Sequence, residues 1–331
     1  MVTQLIDSYG RRADDLRISV TDRCNFRCVY CMPAVGVKWL PRQDLLTDDE
    51  ILRLAQLFIN RYGVRTIRLT GGEPLLRSSI IDLVADLAHL HPDLDLTMTT
   101  NGMLLSGKAE RLKAAGLKRL NVSLDTLHAE RFQGLARRKG FERVMEGLAA
   151  ATAAEFSPIK LNVVVMRDKN DDEAVDFARL ARERGYLVRF IEFMPLDGER
   201  EWSNALVVPS QQLTEQIEAE FPLIANPSAQ PGPADNWRFA DGAPGGVGFI
   251  SSVSQAFCSS CNRIRLSAEG GLRSCLFSLQ ETPLRELLRR GASDDELAAV
   301  IEAAIWRKEE GHQINQEGFV RPIKYMSQIG G

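Results

Sequence analysis

Six β-type runs alternate with helical runs between residues 16 and 193, short connections join them, and the conspicuous polar and glycine clusters fall directly after the strands. These observations predict an α/β fold in which right-handed βα units build a partial six-unit (βα)6 TIM-like barrel, with its active site where the strands end. A C-terminal α+β extension is expected to close the barrel mouth. The predicted division is 1–196 for the barrel and 197–331 for the C-terminal region.

Taken in order, residues 16–20 alternate apolar and polar with β-branched members, a strand that delivers the loop after it. Residues 48–62 place Ile51, Leu52, Leu54, Ala55 and Phe58 at helical spacing. Strands are then read at 64–70, 94–99, 118–124, 159–166 and 187–193, with helices at 75–90, 107–115, 140–155 and 171–185 between them. Past Pro195 the rhythm breaks. Ser210 reads as the N-cap of a helix reaching residue 221, 222–246 as an irregular crossing rich in Pro and Gly, and 247–273 as β-type. Ser293-Asp294-Asp295-Glu296 opens a capped helix that runs to about residue 308.

The 331 residues are 44% hydrophobic and 26% charged with a net charge of −3, the balance of an ordinary soluble protein. A nucleic-acid surface would show a basic excess, so no nucleic-acid partner is expected. The first seven residues show no basic-then-apolar leader, and no uncharged apolar run reaches the ~20 residues of a membrane span. A cytoplasmic protein without a membrane partner is therefore expected. In a reducing compartment six cysteines grouped as 24, 28, 31 and 258, 261, 275 read as metal binding rather than disulfides. His89, His91, His128 and His312 lie far from both groups in sequence and read as surface or cap residues.

Cys24, Cys28 and Cys31 let one short loop wrap a metal centre from three sides, and thiolates select zinc, cuprous copper or iron–sulfur clusters. A structural zinc site closes with four protein ligands. Three ligands fit a cubane iron–sulfur cluster that keeps one iron open for a reactant. Cys258, Cys261 and Cys275 repeat that arrangement. Zinc with a borrowed distant ligand, or thiols that merely pack, stay open for the first set, and zinc completed by a nearby carboxylate or water for the second. Gly71-Gly72-Glu73-Pro74 follows a strand and allows backbone to approach a ligand closely; the plainer reading is a strand-to-helix turn. Arg263 and Arg265 stand two apart, which on a strand gives both guanidiniums one face. With Arg17, Arg68, Lys160 and, more weakly, Arg189 on strands, they suggest a polyanion pocket, since guanidinium groups take phosphate oxygens bidentately.

The Cys24–Cys28–Cys31 spacing with Tyr30 and the Gly-Gly-Glu-Pro loop resembles the radical S-adenosylmethionine superfamily. The second set, with Asn262-Arg263-Ile264-Arg265 inside it and Gly330-Gly331 at the C-terminus, resembles one family within it, the GTP 3′,8-cyclases of molybdenum cofactor biosynthesis. The resemblance implies two [4Fe-4S] clusters and S-adenosyl-L-methionine, cleaved at the first cluster to a 5′-deoxyadenosyl radical that takes the 3′ hydrogen of GTP. The ribose radical then attacks C8 of guanine, giving 3′,8-cyclo-7,8-dihydro-GTP. It further implies that Tyr30, Gly72, Ser123 and Met194 contact S-adenosylmethionine and that Arg17, Arg68, Thr99, Lys160, Arg263 and Arg265 contact GTP. Cys24, Cys28 and Cys31 would hold the catalytic cluster, Cys258, Cys261 and Cys275 the auxiliary one, and the terminal glycines would reach into the active site. Implied partners are an electron donor of flavodoxin or ferredoxin type and a downstream cyclic pyranopterin monophosphate synthase; a homodimer is an expected assembly. One departure is Thr66, where many relatives carry lysine. The competing reading is a radical S-adenosylmethionine peptide-modifying enzyme with an auxiliary cluster; a zinc-stapled binding protein stands outside the class.

Overall fold

Period-2 alternation sorts the side chains into two layers. Along β1 (Asp15–Ser19), Leu16 and Ile18 are fully buried in the apolar core while Arg17 turns to the opposite face and lines a cavity. The same parity holds in β2 (Thr66–Thr70), β3 (Asp95–Thr100), β4 (Arg119–Ser123), β5 (Lys160–Val165) and β6 (Leu187–Glu192). Ile67, Leu69, Leu96, Met98, Leu120, Val122, Leu161, Val163, Val188 and Phe190 join the core, and Arg68, Thr99, Ser123, Asn162 and Arg189 face inward. The computed structural model describes residues 2–227 and 232–330.

The helices between these strands are α1 (Asp48–Tyr62), α2 (Ile80–His89), α3 (Ala109–Ala114), α4 (Ala129–Ala136), α5 (Phe141–Ala153) and α6 (Ala174–Arg184). Sequence chemistry sets the ends of α1. The Thr47 hydroxyl accepts from Glu50 N–H at 3.2 Å, the Glu50 carboxylate accepts from Thr47 N–H at 2.8 Å, and Gly63 closes the helix at φ 67°. The face carrying Ile51, Leu54, Ala55, Phe58 and Tyr62 is buried. Helix α4 lies in a stretch with no predicted element.

The C-terminal part supplies α7 (Ser210–Glu218), β7 (Leu223–Ala225), β8 (Asp235–Phe239), β9 (Gly246–Ile250), β10 (Arg263–Leu266), β11 (Gly271–Arg273), β12 (Thr282–Pro283), α8 (Arg285–Arg289), α9 (Asp294–Trp306) and α10 (Met326–Ile329). Among the described residues the twelve strands form one sheet in the order β12-β11-β10-β1-β2-β3-β4-β5-β6-β9-β8-β7. From β10 to β9 neighbours are parallel, so the six βα strands gain a parallel strand at each edge from the C-terminal region. Two expectations change here. Residues 222–246 are not an irregular crossing: β7 and β8 pair as an antiparallel hairpin that continues onto β9. Ser210 is not the cap of α7: Pro209 occupies that position, and Ser210 N–H donates to the Glu192 carboxylate at 3.3 Å. Ser293 does cap α9 through a reciprocal bond with Glu296. Among the described residues no helix is long and apolar enough to cross a membrane.

Candidate active site

The loop leaving β1 carries the first cysteine set, and the loop leaving β2 packs against it. Gly72 N–H donates to the Thr21 carbonyl at 2.8 Å and Glu73 N–H to the Arg23 carbonyl at 2.7 Å. A Cβ on Gly72 would lie 2.3 Å from the Arg23 carbonyl oxygen, and one on Gly71 2.3 Å from that of Thr21. The glycines thus admit the backbone of the cysteine loop on one side, while their own backbone lines the cavity on the other. Glu73 fixes this junction: its carboxylate accepts from Leu75 N–H at 3.0 Å, the Thr100 hydroxyl at 2.7 Å and Asn101 N–H at 2.7 Å. Asn101 in turn reaches Asn25 at 2.7 Å and the Cys24 sulfur at 3.9 Å.

Burial pushes the three thiols up, Cys24 to about 11 and Cys31 to about 12, with Cys28 also well raised. Thiols in such surroundings become thiolates only when a cationic centre balances them. Tyr30 donates its hydroxyl to Asp125 at 2.9 Å, and Asp125 also accepts from Val164 N–H at 2.9 Å; burial lifts this carboxyl to about 6.

Below the first set lies a row of cations. Register pairs Arg265 with Arg17 and Arg17 with Arg68, so three guanidinium side chains share one level of the sheet. Burial, then repulsion from Arg68, depresses Arg17 to about 9; burial also lowers Arg68 and Arg189 to about 10 and Arg265 well below the ordinary value. Among the described residues the buried Nε atoms of Arg17, Arg68 and Arg189 find no hydrogen-bond partner. Like charges with unmet donors in a low-dielectric cavity call for a polyanion. Lys160, brought down to about 7 by burial and by Arg189, sits beside this row but does not line the cavity. Thr66 stands level with Asp15 and Asp95 and adds no cation.

The second set closes the far end. Cys258 and Cys261 precede β10, Cys275 follows β11, and all three line the same cavity as the first set. Despite burial, Arg263 and Lys308 bring the Cys261 thiol down to about 7. Arg263 also lies over the Phe257 ring, 4.6 Å from its centroid. The C-terminal tail spans the interval: Ser327 N–H bonds to Cys31, Met326 lines the cavity, and the Gly330 carbonyl accepts from Arg265. Gly331, the other glycine of the expected tail, lies outside the described residues.

Of the expected site residues, Tyr30, Gly72, Ser123, Met194, Arg17, Arg68, Thr99, Arg263, Arg265 and all six cysteines line this one cavity; Lys160 alone does not. Its empty space, counting the part open to solvent, is ≈ 1640 Å³. Sequence reasoning missed Asn101, Asn162 and His312, all of which line it. His312 is half-buried and packs its ring against Phe277. Glu192 was missed as well. At the end of β6 its carboxylate accepts from Val253 N–H and Ser254 N–H at 2.8 Å each, anchoring the chain that leads to Cys258. No local pattern marks these residues; strand parity would have found only Asn162.

The donor sets suit a polynuclear centre. Among the described residues no three Cys, His, Asp or Glu side chains close on a single ion-sized point, as a mononuclear zinc site requires. Six half-buried free thiols in two sets of three fit two clusters, each with one iron open.

A parallel α/β sheet that offers this cysteine loop and a Gly-Gly-Glu-Pro loop to one cavity defines the class of radical S-adenosylmethionine enzymes, and residues 18–181 match the family model described as Radical SAM superfamily. The fold agrees with SuiB of Streptococcus suis in its complex with S-adenosylmethionine, at TM-score 0.60 and 14% identity over 94% of this chain and 76% of that one. Residues 186–314 match Molybdenum Cofactor Synthesis C. The chain is 46% identical to a GTP 3′,8-cyclase of Paenarthrobacter nicotinovorans over 99% of its length and 97% of the relative's, and 47% identical to that of Streptomyces coelicolor over 99% and 96%. The chain belongs to the GTP 3′,8-cyclase family.

Proposed function

We propose that the cavity is a joint site for S-adenosylmethionine and GTP, with the triphosphate lying along Arg17, Arg68 and Arg189 and Lys160 adding its charge from beside that row. The observation that carries this is the row of buried guanidiniums with unmet Nε donors between two three-thiol sets. The chain carries the GTP 3′,8-cyclase activity of its family, converting GTP to 3′,8-cyclo-7,8-dihydro-GTP, the first step of molybdenum cofactor biosynthesis. Two [4Fe-4S] clusters held by the cysteine sets would supply one-electron reduction of S-adenosylmethionine at the first and a Lewis-acidic contact for the purine at the second.

The chain's own residues bind and orient. Cys24, Cys28 and Cys31 hold the catalytic cluster, and Cys258, Cys261 and Cys275 the auxiliary one. Tyr30, Gly72, Ser123 and Met194 contact S-adenosylmethionine. Thr99, Arg263 and Arg265 hold the nucleoside end of GTP so that its ribose faces the first set. The tail, held by Lys324 between Glu269 and Glu281, keeps Gly330 against Arg265 and shields the reacting atoms from water. Residues 1–196 act as a partial six-unit barrel and 197–331 close its mouth; the C-terminal residues lining the shared cavity support this. A cytoplasmic location, an electron donor of flavodoxin or ferredoxin type, a downstream pyranopterin synthase and a homodimer complete the proposal.

The test reconstitutes the protein anaerobically, measures iron and sulfide, and incubates it with dithionite, S-adenosylmethionine and GTP. About eight irons per chain and a GTP-dependent cyclic product are expected. Zinc alone would remove the mechanism, and iron without a GTP-dependent product would favour the peptide-modifying alternative.

A further inference from the structure

Lys308 stands beside the second cysteine set without lining the cavity. It is 3% exposed, and its ammonium donates to the Cys261 carbonyl at 2.8 Å and the Arg263 carbonyl at 3.0 Å, with the Cys261 sulfur at 3.9 Å. Among the described residues it forms no ion pair. The acid on its own side of the loop, Asp7, is committed to Arg11 at 2.6 Å, and Arg11 spends its remaining donors on the carbonyls of Cys258, Glu309 and Glu310. Glu309 turns its carboxylate to Ser274 and Ser278 near Cys275. A buried ammonium without a carboxylate is costly unless another anion balances it. With Asp7 already neutralised by Arg11, the uncommitted anion in reach is the cysteine set itself.

We propose that Lys308 is the counter-charge of the second centre. It is a positioning residue that fixes the loop from Cys261 to Arg263, and its charge raises the reduction potential of the cluster held there. One-electron reduction, with the electron drawn from an external donor such as dithionite, adds one negative charge to the cluster. A fixed cation beside a ligand sulfur favours that reduced state. The inference rests on the reading that the second set holds an iron–sulfur cluster.

The experiment compares wild type, Lys308→Met, Lys308→Gln and Lys308→Arg as anaerobically reconstituted full-length protein, by iron and sulfide content and by EPR-monitored redox titration. Loss of the charge is expected to lower the second centre's potential by about 60 mV, a tenfold shift in a one-electron equilibrium, while the first centre stays put and Lys308→Arg behaves as wild type. The metal-free neutral variants are expected to stay folded and to melt slightly lower than wild type, because they lose the bonds to the Cys261 and Arg263 carbonyls. A fully loaded neutral variant with an unmoved potential would overturn the proposal. So would neutral variants that fail to fold as apoprotein, since the role would then be structural. If the neutral variants load only the first centre, full loading of Lys308→Arg supports the proposal and an empty second centre in it overturns it. Absence of a second cluster from wild type would instead defeat the reading beneath it.

Discussion

Replacing Gly72 by alanine tests how the two loops at the first cysteine set are joined. A Cβ there would meet the Arg23 carbonyl oxygen at 2.3 Å, its carbon at 2.5 Å and the Asp22 oxygen at 2.6 Å. All three are backbone atoms, so no side chain can swing aside. Restoring van der Waals contact requires the loops to part by roughly 1 Å. That separation strains the bonds from Gly72 N–H to Thr21 and from Glu73 N–H to Arg23. Each is worth about 1 kcal/mol net, and overpacking adds about 1–3 kcal/mol. The expected loss is about 3 kcal/mol in anaerobic urea denaturation of the apoprotein. Because the shift is local to the Cys24 loop, S-adenosylmethionine binding by the reconstituted protein should fall while GTP binding changes little. Gly107→Ala is the control, since a Cβ at that position meets nothing within 4 Å. A Gly72→Ala protein as stable as wild type and with the same S-adenosylmethionine affinity would refute the reasoning.

Three more perturbations bear on the cavity. Arg265→Ala removes a buried guanidinium that meets Gly330, so GTP affinity measured by equilibrium dialysis should fall at least about tenfold, while GTP-independent cleavage of S-adenosylmethionine persists; unchanged affinity would sink its assignment. Tyr30→Phe leaves Asp125 without its 2.9 Å donor and should lower apoprotein stability by about 1–2 kcal/mol, which Asp125→Asn in the same background should partly restore. Burial lifts Glu73 from the ordinary 4.5 to about 7, so the folded state holds this proton more tightly than the unfolded chain. Its contribution is complete below pH 4.5 and is lost as pH rises through about 7, on the order of 3 kcal/mol. Apoprotein stability should therefore fall across that window, and Glu73→Gln should flatten the fall.

Elements with local chemistry were legible. The spacing of Ile51, Leu54 and Phe58 marked α1, and the Ser293–Glu296 pair marked α9 before either was seen in place. Helix α4 escaped because it is short, contains Gly134 and begins at His128 without a side-chain cap. The β7–β8 hairpin escaped for a different reason: β8 shows no clean alternation of burial, and its strand character comes from pairing with β9, a tertiary fact. At the site, residue type sufficed for cysteines, whose spacing is their signal. It fell short for Lys160, which has the inward parity of its strand but stands beside the cavity rather than on its lining. It failed also for His312 and Lys308, which reach the second set only because the chain after α9 folds back over it.

Parallel pairing explains why two cysteine sets more than two hundred residues apart serve one cavity from opposite ends. β10 lies beside β1 with Arg263 level with Asp15 and Leu266 level with Ile18. Cys24, Cys28 and Cys31 leave the C-terminal end of β1, whereas Cys258 and Cys261 enter the N-terminal end of β10. Five residues at about 3.3 Å each put roughly 15 Å of strand between the two levels. The general rule that α/β sites gather at the C-terminal strand ends accounts for the first set alone. The second stands at the other end, and the side chains between them, Arg17 and Arg265, are inward positions in mid-strand, where polar groups must find partners or a guest. A substrate long enough to span that interval, anionic where it passes the arginines, meets the requirement of both ends at once, and neither set could impose it alone.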